Sequence, residues 1–101
     1  MFVALWEYEV KPGCEERFEN AYGPHGEWVW LFRNDSSYKE TRLVKDVLRG
    51  GVYLTMDFWD SRSDYEEFMA AHRAEYEAID TIAKQMTAKE RRIGWFGMVA
   101  E

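Results

Sequence analysis

The sequence predicts an α+β fold in which helices cover one face of a four-stranded antiparallel sheet, and three observations lead to this prediction. Segment 51–79 changes its hydrophobic period from two residues to about three and a half, which indicates a strand followed directly by a helix. Segment 2–10 alternates in the same way and precedes a first helical pattern. The apolar residues of 93–99 indicate a final strand. The resulting order is strand, helix, strand, strand, helix, strand.

The first strand is Phe2–Val10, which stops at the turn-forming residues 11–13. It is apolar on both faces at one end, and this favours an inner position in the sheet. A helix is predicted from Cys14 to about Tyr22, since apolar residues recur at helical spacing there. Gly23-Pro24 interrupts it, and 27–32 is predicted to form a short second helical piece.

Residues 38–48 alternate less cleanly than the first strand, and we predict a strand that forms a hairpin with 52–59 across the turn at 49–51. Ser61 or Ser63 is expected to cap the next helix. Ser63 with Glu66 three residues later fits a capping box. The helical pattern continues to about Thr87, and one interpretation places a break near 71–73.

The composition indicates one domain, 1–101, with an interface or a ligand cavity. Of its 101 residues 47% are hydrophobic and 17% aromatic, so a core of this size leaves some rings near the surface. Large apolar patches usually mark an interface or a cavity. The alternative is a compact monomer with ordinary exposed aromatic residues.

The charge and cysteine content exclude several classes of partner. The net charge is −6 with interleaved basic residues, which argues against nucleic acid. No apolar segment approaches the roughly 20 residues that span a bilayer. Residues 1–10 contain Glu7 and Glu9, whereas a secretory signal would need a basic start followed by an apolar segment there. We therefore expect no membrane partner and a cytoplasmic location. Cys14 is the only cysteine, so an internal disulfide is excluded.

The element order is that of a ferredoxin-like sandwich. It is accompanied by a set of residues along the chain: Tyr22-Gly23-Pro24, Trp28, Leu31-Phe32, Tyr53-Leu54-Thr55, Phe58-Trp59-Asp60-Ser61, Tyr65, Phe68 and Ile93-Gly94-Trp95-Phe96. Through these residues nearly the whole chain resembles the antibiotic biosynthesis monooxygenase superfamily. The resemblance implies a dimeric α/β barrel, because the second face of such a sheet needs a cover, and a second copy of the chain supplies one. It also implies a ligand cavity between the sheet and the helices of each subunit.

The superfamily includes cofactor-independent monooxygenases of polycyclic phenols, quinol oxidases, haem-degrading enzymes and proteins without a known reaction. The resemblance favours a homodimer that binds a small aromatic molecule and oxygenates a phenol or quinol without a cofactor. A non-catalytic or accessory dimer is the alternative. Haem-degrading members resemble one another in an Asn on the first strand, a Trp on the second main helix and an axial His further along that helix. Here residues 6–8 of the first strand include no Asn, Phe68 stands where the Trp would fall, and His72 lies earlier than the expected ligand. Haem degradation is therefore disfavoured.

His72 and His25 are the candidate proton acceptors, since imidazole changes charge near neutral pH. His72 lies on the apolar stripe of the second main helix, where a packing role is the alternative. His25 follows Gly23-Pro24, where a surface role is the alternative. His72 and Glu75 are spaced as two metal ligands, but two ligands do not make a site, and no metal is predicted.

A set of aromatic residues is predicted to line the ligand cavity, although each could instead be part of the core. The set is Trp6, Tyr8, Trp28, Tyr53, Phe68 and Tyr76.

Arg42 and Asp57 lie in the middle of predicted strands, where charged residues are unusual. Each is interpreted as lying at a dimer rim or inside the cavity. If they face each other across the hairpin they form a structural pair, and this interpretation is favoured.

Overall fold

The computed structural model describes residues 1–100 and contains one four-stranded sheet, four α-helices and one 3₁₀ turn. This confirms the predicted α+β class. In chain order the elements are β1 (Phe2–Val10), α1 (Glu15–Tyr22), α2 (Glu27–Phe32), β2 (Tyr38–Lys45), β3 (Val52–Trp59), α3 (Arg62–Ala71), α4 (Arg73–Ala83), the 3₁₀ turn Lys84–Met86 and β4 (Thr87–Gly97).

The sheet is antiparallel throughout, with the strand order β2-β3-β1-β4 of a ferredoxin-like fold. β1 pairs with β3 on one side and with β4 on the other, which confirms its predicted inner position. β2 and β3 form the predicted hairpin. No helix within residues 1–100 is both long and apolar enough to cross a membrane.

Side chains of the two central strands alternate between a face covered by the helices and an open face. Tyr8 pairs with Tyr53 and Phe2 with Trp59 on the covered face, where all four are buried. The partners on the open face include Leu5 and Met56, and the four apolar residues of β3 on this face are Val52, Leu54, Met56 and Phe58.

The core between sheet and helices consists largely of aromatic rings in mutual contact. Trp59 is completely buried, with its ring centroid 5.1 Å from that of Phe68 and 5.4 Å from that of Phe32. Phe18 of α1 stacks on Tyr22 at 4.2 Å. Tilted and edge-on ring pairs at these distances stabilise a core beyond the burial of their area.

Strand β2 is shorter than predicted, because it ends at Lys45 and not at Leu48. The carboxylate of Asp46 accepts hydrogen bonds from the backbone N–H groups of Leu48 and Arg49 at 2.8 and 3.0 Å, which turns the chain away from the sheet. Gly51 then has φ +74°, a conformation that glycine adopts without strain.

Helical structure ends at Met86, close to the predicted end at about Thr87, because the 3₁₀ turn Lys84–Met86 follows α4 directly. The last strand begins at Thr87, earlier than the predicted segment 93–99. The backbone N–H of Lys11 donates to the carbonyl of Met86 at 2.9 Å, and Thr87 pairs with Val10, so pairing along all of β1 extends β4 through residues whose sequence lacks a clear alternation. The break near 71–73 is confirmed, since α3 and α4 meet at His72.

Ser61, one of the two predicted caps, begins α3. Its hydroxyl accepts a hydrogen bond from the backbone N–H of Asp64 at 3.1 Å and donates to the Asp64 carboxylate at 2.8 Å. The predicted capping box of Ser63 with Glu66 is wrong: Ser63 lies inside the first turn, two residues too late to satisfy the first N–H groups.

We expect Ser61→Ala to lower the free energy of unfolding by about 1 kcal/mol, because it removes the acceptor for the first turn of α3. Urea denaturation followed by circular dichroism measures this loss. Ser63→Ala is the matched control and should change stability by less than about 0.5 kcal/mol. An equal loss in both variants would contradict the assignment of Ser61 as the cap.

Candidate functional site

A cavity lies between the covered face of the sheet and the helices, where the family resemblance implied a ligand site. Its walls are mostly aromatic: Trp6, Tyr8, Tyr22, Trp28, Phe32, Tyr65 and Tyr76. Its polar residues are Thr41, Thr55, Asp57 and Asp80. This combination of apolar walls with a few polar groups is typical of small-molecule sites.

The unfilled space of this cavity is small, at about 20 Å³, which is room for one water molecule but not for an aromatic ring. A groove of about 530 Å³ lies outside it, along α3 and α4. Of the residues that line the two spaces, Tyr76 and Asp80 are common to both. The cavity and the groove therefore adjoin each other at these two side chains.

The carboxyl group of Asp57 is the most unusual chemical feature of the cavity. Oδ1 of Asp57 accepts a hydrogen bond from the hydroxyl of Thr41 at 2.6 Å, and Thr41 Oγ1 lies 2.7 Å from the hydroxyl of Tyr38. A threonine hydroxyl has one proton, which it gives to Asp57, so Tyr38 is the donor to Thr41. The result is a directed chain from Tyr38 through Thr41 to Asp57.

Burial raises the pKa of Asp57 to about 6, and the hydrogen bond from Thr41 only partly opposes this rise. No basic side chain contributes to the shift. The carboxyl group therefore titrates close to neutral pH, which suits a group that accepts and returns a proton.

The strand register explains why Asp57 faces the cavity. Asp57 pairs with Thr41 on β2 and with Ala4 on β1, and both partners are buried on the covered face. The favoured pairing of Asp57 with Arg42 is wrong. Arg42 pairs with Met56 and therefore points to the open face, because successive residues of a strand face opposite sides.

On the open face Arg42 has other partners. Its guanidinium donates to Glu40 at 2.6 Å and lies 5.6 Å from the centre of the Phe58 ring. This side chain thus belongs to the open face of the sheet, away from the cavity.

Several tyrosine hydroxyl groups surround the cavity without a hydrogen-bond partner. Burial, followed by neighbouring carboxyl and phenol groups, raises the pKa of Tyr8 and of Tyr76 well above the usual range. Burial also raises the pKa of Tyr65 to about 12. Within residues 1–100 these three hydroxyls make no hydrogen bond, so they are available to a bound molecule or water.

Trp28 adds a polar group that needs a partner. Its side chain is buried, and its indole N–H has no acceptor at hydrogen-bonding geometry within the described residues. The Tyr22 hydroxyl is near enough to this N–H that the rise in the pKa of Tyr22, caused mainly by burial, is partly offset. A buried donor in this position is a feature that a ligand oxygen or a water molecule would satisfy.

Four of the six aromatic residues predicted to bind substrate lie together on the cavity wall: Trp6, Tyr8, Trp28 and Tyr76. Tyr53 and Phe68 lie elsewhere in the core. The Tyr53 hydroxyl donates to Glu19 at 2.5 Å, and Phe68 packs between Trp59 and His72.

Neither candidate histidine is among the residues that line the cavity. The ring of His72 stacks on Phe68 at 4.4 Å, and its Nδ1 lies 2.8 Å from Glu75, the residue spaced as a second metal ligand. His25 is exposed between α1 and α2, where it lines a shallow surface pocket with Arg17 and Ile82. A catalytic role for either histidine stays a prediction.

The sequence contained a signal for Asp57 that the pairing with Arg42 obscured. Asp57 belongs to the same set of alternate residues of β3 as Tyr53, Thr55 and Trp59, and these three residues lie on the covered face. An acidic residue in such a series has no access to bulk water unless a cavity is left beside it. Asp80, on α4, had no comparable signal.

The described fold defines a class of α+β proteins in which helices cover one face of a four-stranded antiparallel sheet, and solved structures with this fold match nearly the whole chain. A variant of SnoaB, a cofactor-independent oxygenase from Streptomyces nogalater, superposes with a TM-score of 0.80 at 12% identity, over 99% of this chain and 94% of that one. A Bordetella bronchiseptica protein, provisionally named an antibiotic biosynthesis monooxygenase, gives 0.80 at 15% identity over 98% and 97%.

A third structure, At3g17210 from Arabidopsis thaliana, gives a TM-score of 0.74 at 18% identity over 100% and 98% of the two chains. No family model and no curated protein matches the sequence. At these identities the similarities show the fold: the chain has the fold of the antibiotic biosynthesis monooxygenases, and the resemblance seen in the sequence is confirmed at that level.

The raised pKa of Asp57 should make the folded protein lose stability as the pH rises from about 4 to about 6. In this window the folded protein holds a proton that the unfolded chain has released, so raising the pH favours unfolding. Asp57→Asn is neutral at every pH and should lack this loss. Its stability relative to wild type should therefore improve by roughly 2 to 3 kcal/mol between pH 4 and pH 7.

Urea denaturation of both proteins across this range measures the difference. Asp60→Asn is the matched control, because Asp60 is exposed at the end of the same strand and pairs with Lys39 at 3.2 Å. A difference between Asp57→Asn and wild type that stays constant from pH 4 to pH 7 would contradict the raised pKa.

Proposed function

We propose that this protein belongs to the antibiotic biosynthesis monooxygenase superfamily and is a homodimer that oxygenates an electron-rich phenol or quinol without a bound cofactor. Asp57 is the proton acceptor in this proposal. The observation that carries it is a carboxyl group with a pKa of about 6 at an aromatic cavity. A cofactor-independent oxygenase with the same fold supports the choice of reaction.

In the proposed reaction the substrate hydroxyl meets Asp57. Oδ1 already accepts a hydrogen bond from Thr41, so Oδ2 is the atom that takes the substrate proton. Loss of the proton makes the ring a better electron donor, and the substrate anion then reduces dioxygen. For an anthrone, the methylene group becomes a carbonyl; one oxygen atom forms that carbonyl and the other leaves as water, so no external reductant is needed.

The aromatic walls contribute by excluding water from the reacting anion. The cavity as it stands does not hold a ring, so binding requires a side chain to move. Tyr76 is the side chain best placed to do so, since it separates the cavity from the outer groove. The small unfilled space is also the observation that favours the alternative, a non-catalytic dimer in which these rings act only as core.

Haem does not fit the residues that line the cavity. Neither histidine is among them, and the unfilled space is far smaller than a porphyrin. We therefore derive no step that uses haem.

The dimer in this proposal forms through the open face of the sheet. One half of that face is apolar and includes Val3, Leu5, Met56, Phe58 and the half-exposed Phe96. The other half is charged. Exposing apolar surface to water is unfavourable in free energy, so the apolar half would form the centre of the contact.

The charged half of the open face would form the rim around this apolar centre. Its central ion pairs join Glu7 to Arg49 at 2.9 Å and to Arg91 at 3.0 Å. Ion pairs of this kind contribute little to affinity when exposed but fix orientation.

Asp57→Asn should reduce oxygen consumption with naphthols, anthrones or quinols by about a hundredfold or more, since a general base contributes 10² to 10⁴ in rate. An oxygen electrode measures the loss. His72→Ala and His25→Ala are the controls and should retain activity, because neither side chain reaches the cavity. Activity that survives in Asp57→Asn and disappears in a histidine variant would transfer the role of the base to that histidine.

The wild-type protein should sediment as a dimer of about 24 kDa, twice the chain mass of 12.0 kDa, and Phe96→Glu should convert it to a monomer. The substitution places a charge in the apolar half of the open face, while the 47% exposure of Phe96 in the single chain leaves the fold intact. Analytical ultracentrifugation measures the change, with circular dichroism as the check on folding.

Val47→Glu introduces the same charge in the hairpin turn, at a side chain that is 94% exposed, and should leave the dimer intact. A wild-type species near 12 kDa, or a Phe96→Glu protein that stays dimeric, would contradict the proposed interface.

A further inference from the structure

The charged residues that line the cavity are all acidic. Two carboxylates, Asp57 and Asp80, are among the residues that line it, and none of those residues is Lys, Arg or His. A third acid, Glu90 of β4, is close enough to contribute to the raised pKa of both Tyr8 and Tyr76. A molecule inside the cavity therefore meets a negative potential.

Little positive charge compensates these acids. Asp57 is bonded to the neutral Thr41. Asp80 pairs with Lys84 at 3.0 Å, but the Lys84 side chain is 62% exposed, so solvent screens much of its effect. Arg92 does not line the cavity and lies over the ring of Trp95 at 4.9 Å, although its charge partly offsets the rise in the pKa of Tyr65 on the cavity wall.

The aromatic walls act in the same direction as the carboxylates. The faces of Trp and Tyr rings carry negative electrostatic potential and attract cations, most strongly where water is excluded. Trp6, Trp28, Tyr65 and Tyr76 all line this space. Such rings, combined with Asp57, which has no cationic partner within residues 1–100, and with Asp80, whose partner Lys84 is largely exposed, form an environment that suits an organic ammonium group.

We propose that the substrate is a phenol that carries a protonated amino group, with its hydroxyl directed to Asp57 and its ammonium group directed to Asp80. This inference rests on the proposed function, because it names the substrate class for the same cavity. Asp57 is on the sheet, whereas Asp80 lies on α4 and also lines the outer groove. The ammonium end would accordingly lie on the side of the cavity next to the groove, beyond the reacting ring.

Three phenols of similar size and different charge test the proposal: tyramine, 4-propylphenol and 4-hydroxyphenylacetate. At pH 7.5 tyramine should bind at least about tenfold more tightly than 4-propylphenol, since one ion pair at reduced dielectric exceeds the 1.4 kcal/mol that a factor of ten requires. 4-Hydroxyphenylacetate should bind most weakly. Isothermal titration calorimetry measures all three dissociation constants. Equal affinities, or tighter binding of the anion, would overturn the inference.

Variants of Asp80 and of its ion-pair partner Lys84 locate the ammonium group. Asp80→Asn should abolish the preference for tyramine and leave the affinity for 4-propylphenol within about twofold. Lys84→Met should strengthen tyramine binding, because it removes the cation that competes for Asp80. Glu67→Gln changes the net charge as Asp80→Asn does, but at an exposed position on α3, and should have no effect. A preference that survives in Asp80→Asn would overturn the placement.

The same titrations separate this inference from the proposed function. If none of the three phenols binds, the proposal of a phenol site fails as a whole. If 4-propylphenol binds as tightly as tyramine and is oxygenated, the proposed function stands and the inference about charge fails.

Discussion

The alternation of side chains along β1 and β3 is the constraint on which the rest of the structure depends. Each residue of these central strands faces either the helices or the open side, so one register fixes the composition of both surfaces. It places Asp57 in the series of Tyr53 and Trp59, and Arg42 on the opposite face. A shift of one residue in the β2 register would exchange the two faces and remove the Thr41 hydroxyl from Asp57.

The same aromatic residues serve packing and the candidate site, and this explains why the unfilled space is small. A chain of 101 residues buries a limited core, so rings that could surround a ligand also fill the volume between sheet and helices. Trp28 shows both roles. Its ring contacts Tyr76 at 4.7 Å, while its indole N–H lacks an acceptor. Within the described residues Trp59 of the core also has a buried indole N–H without an acceptor, so Trp28 belongs to the candidate site because it lines the cavity and not because of its unpaired N–H alone.

The sequence predicted the strands and the face of most aromatic residues, because a period of two residues decides both. It did not predict the partner of Asp57, since Thr41 and Arg42 are neighbours and only the cross-strand register, which includes a shift between Tyr38 and Glu40, selects one of them. The sequence placed His72 on the apolar stripe between Met69 and Tyr76 and left packing and proton transfer as alternatives. The ring stacks on Phe68 at the break between α3 and α4, which fits packing, and a catalytic role stays a prediction.

The charge of the cavity bears directly on whether an anionic intermediate can form there. When Asp57 takes a proton from a phenol, negative charge moves from the carboxylate to the substrate, so the net charge of the cavity does not change. With a pKa of about 6, Asp57 is mostly ionised at pH 7 before the substrate binds. An ammonium group near Asp80 would stabilise the carboxylate beforehand and the phenolate afterwards. If the proposed substrate binds, its positive charge would supply the compensation that a phenolate intermediate needs in a cavity lined by no basic residue of the described chain.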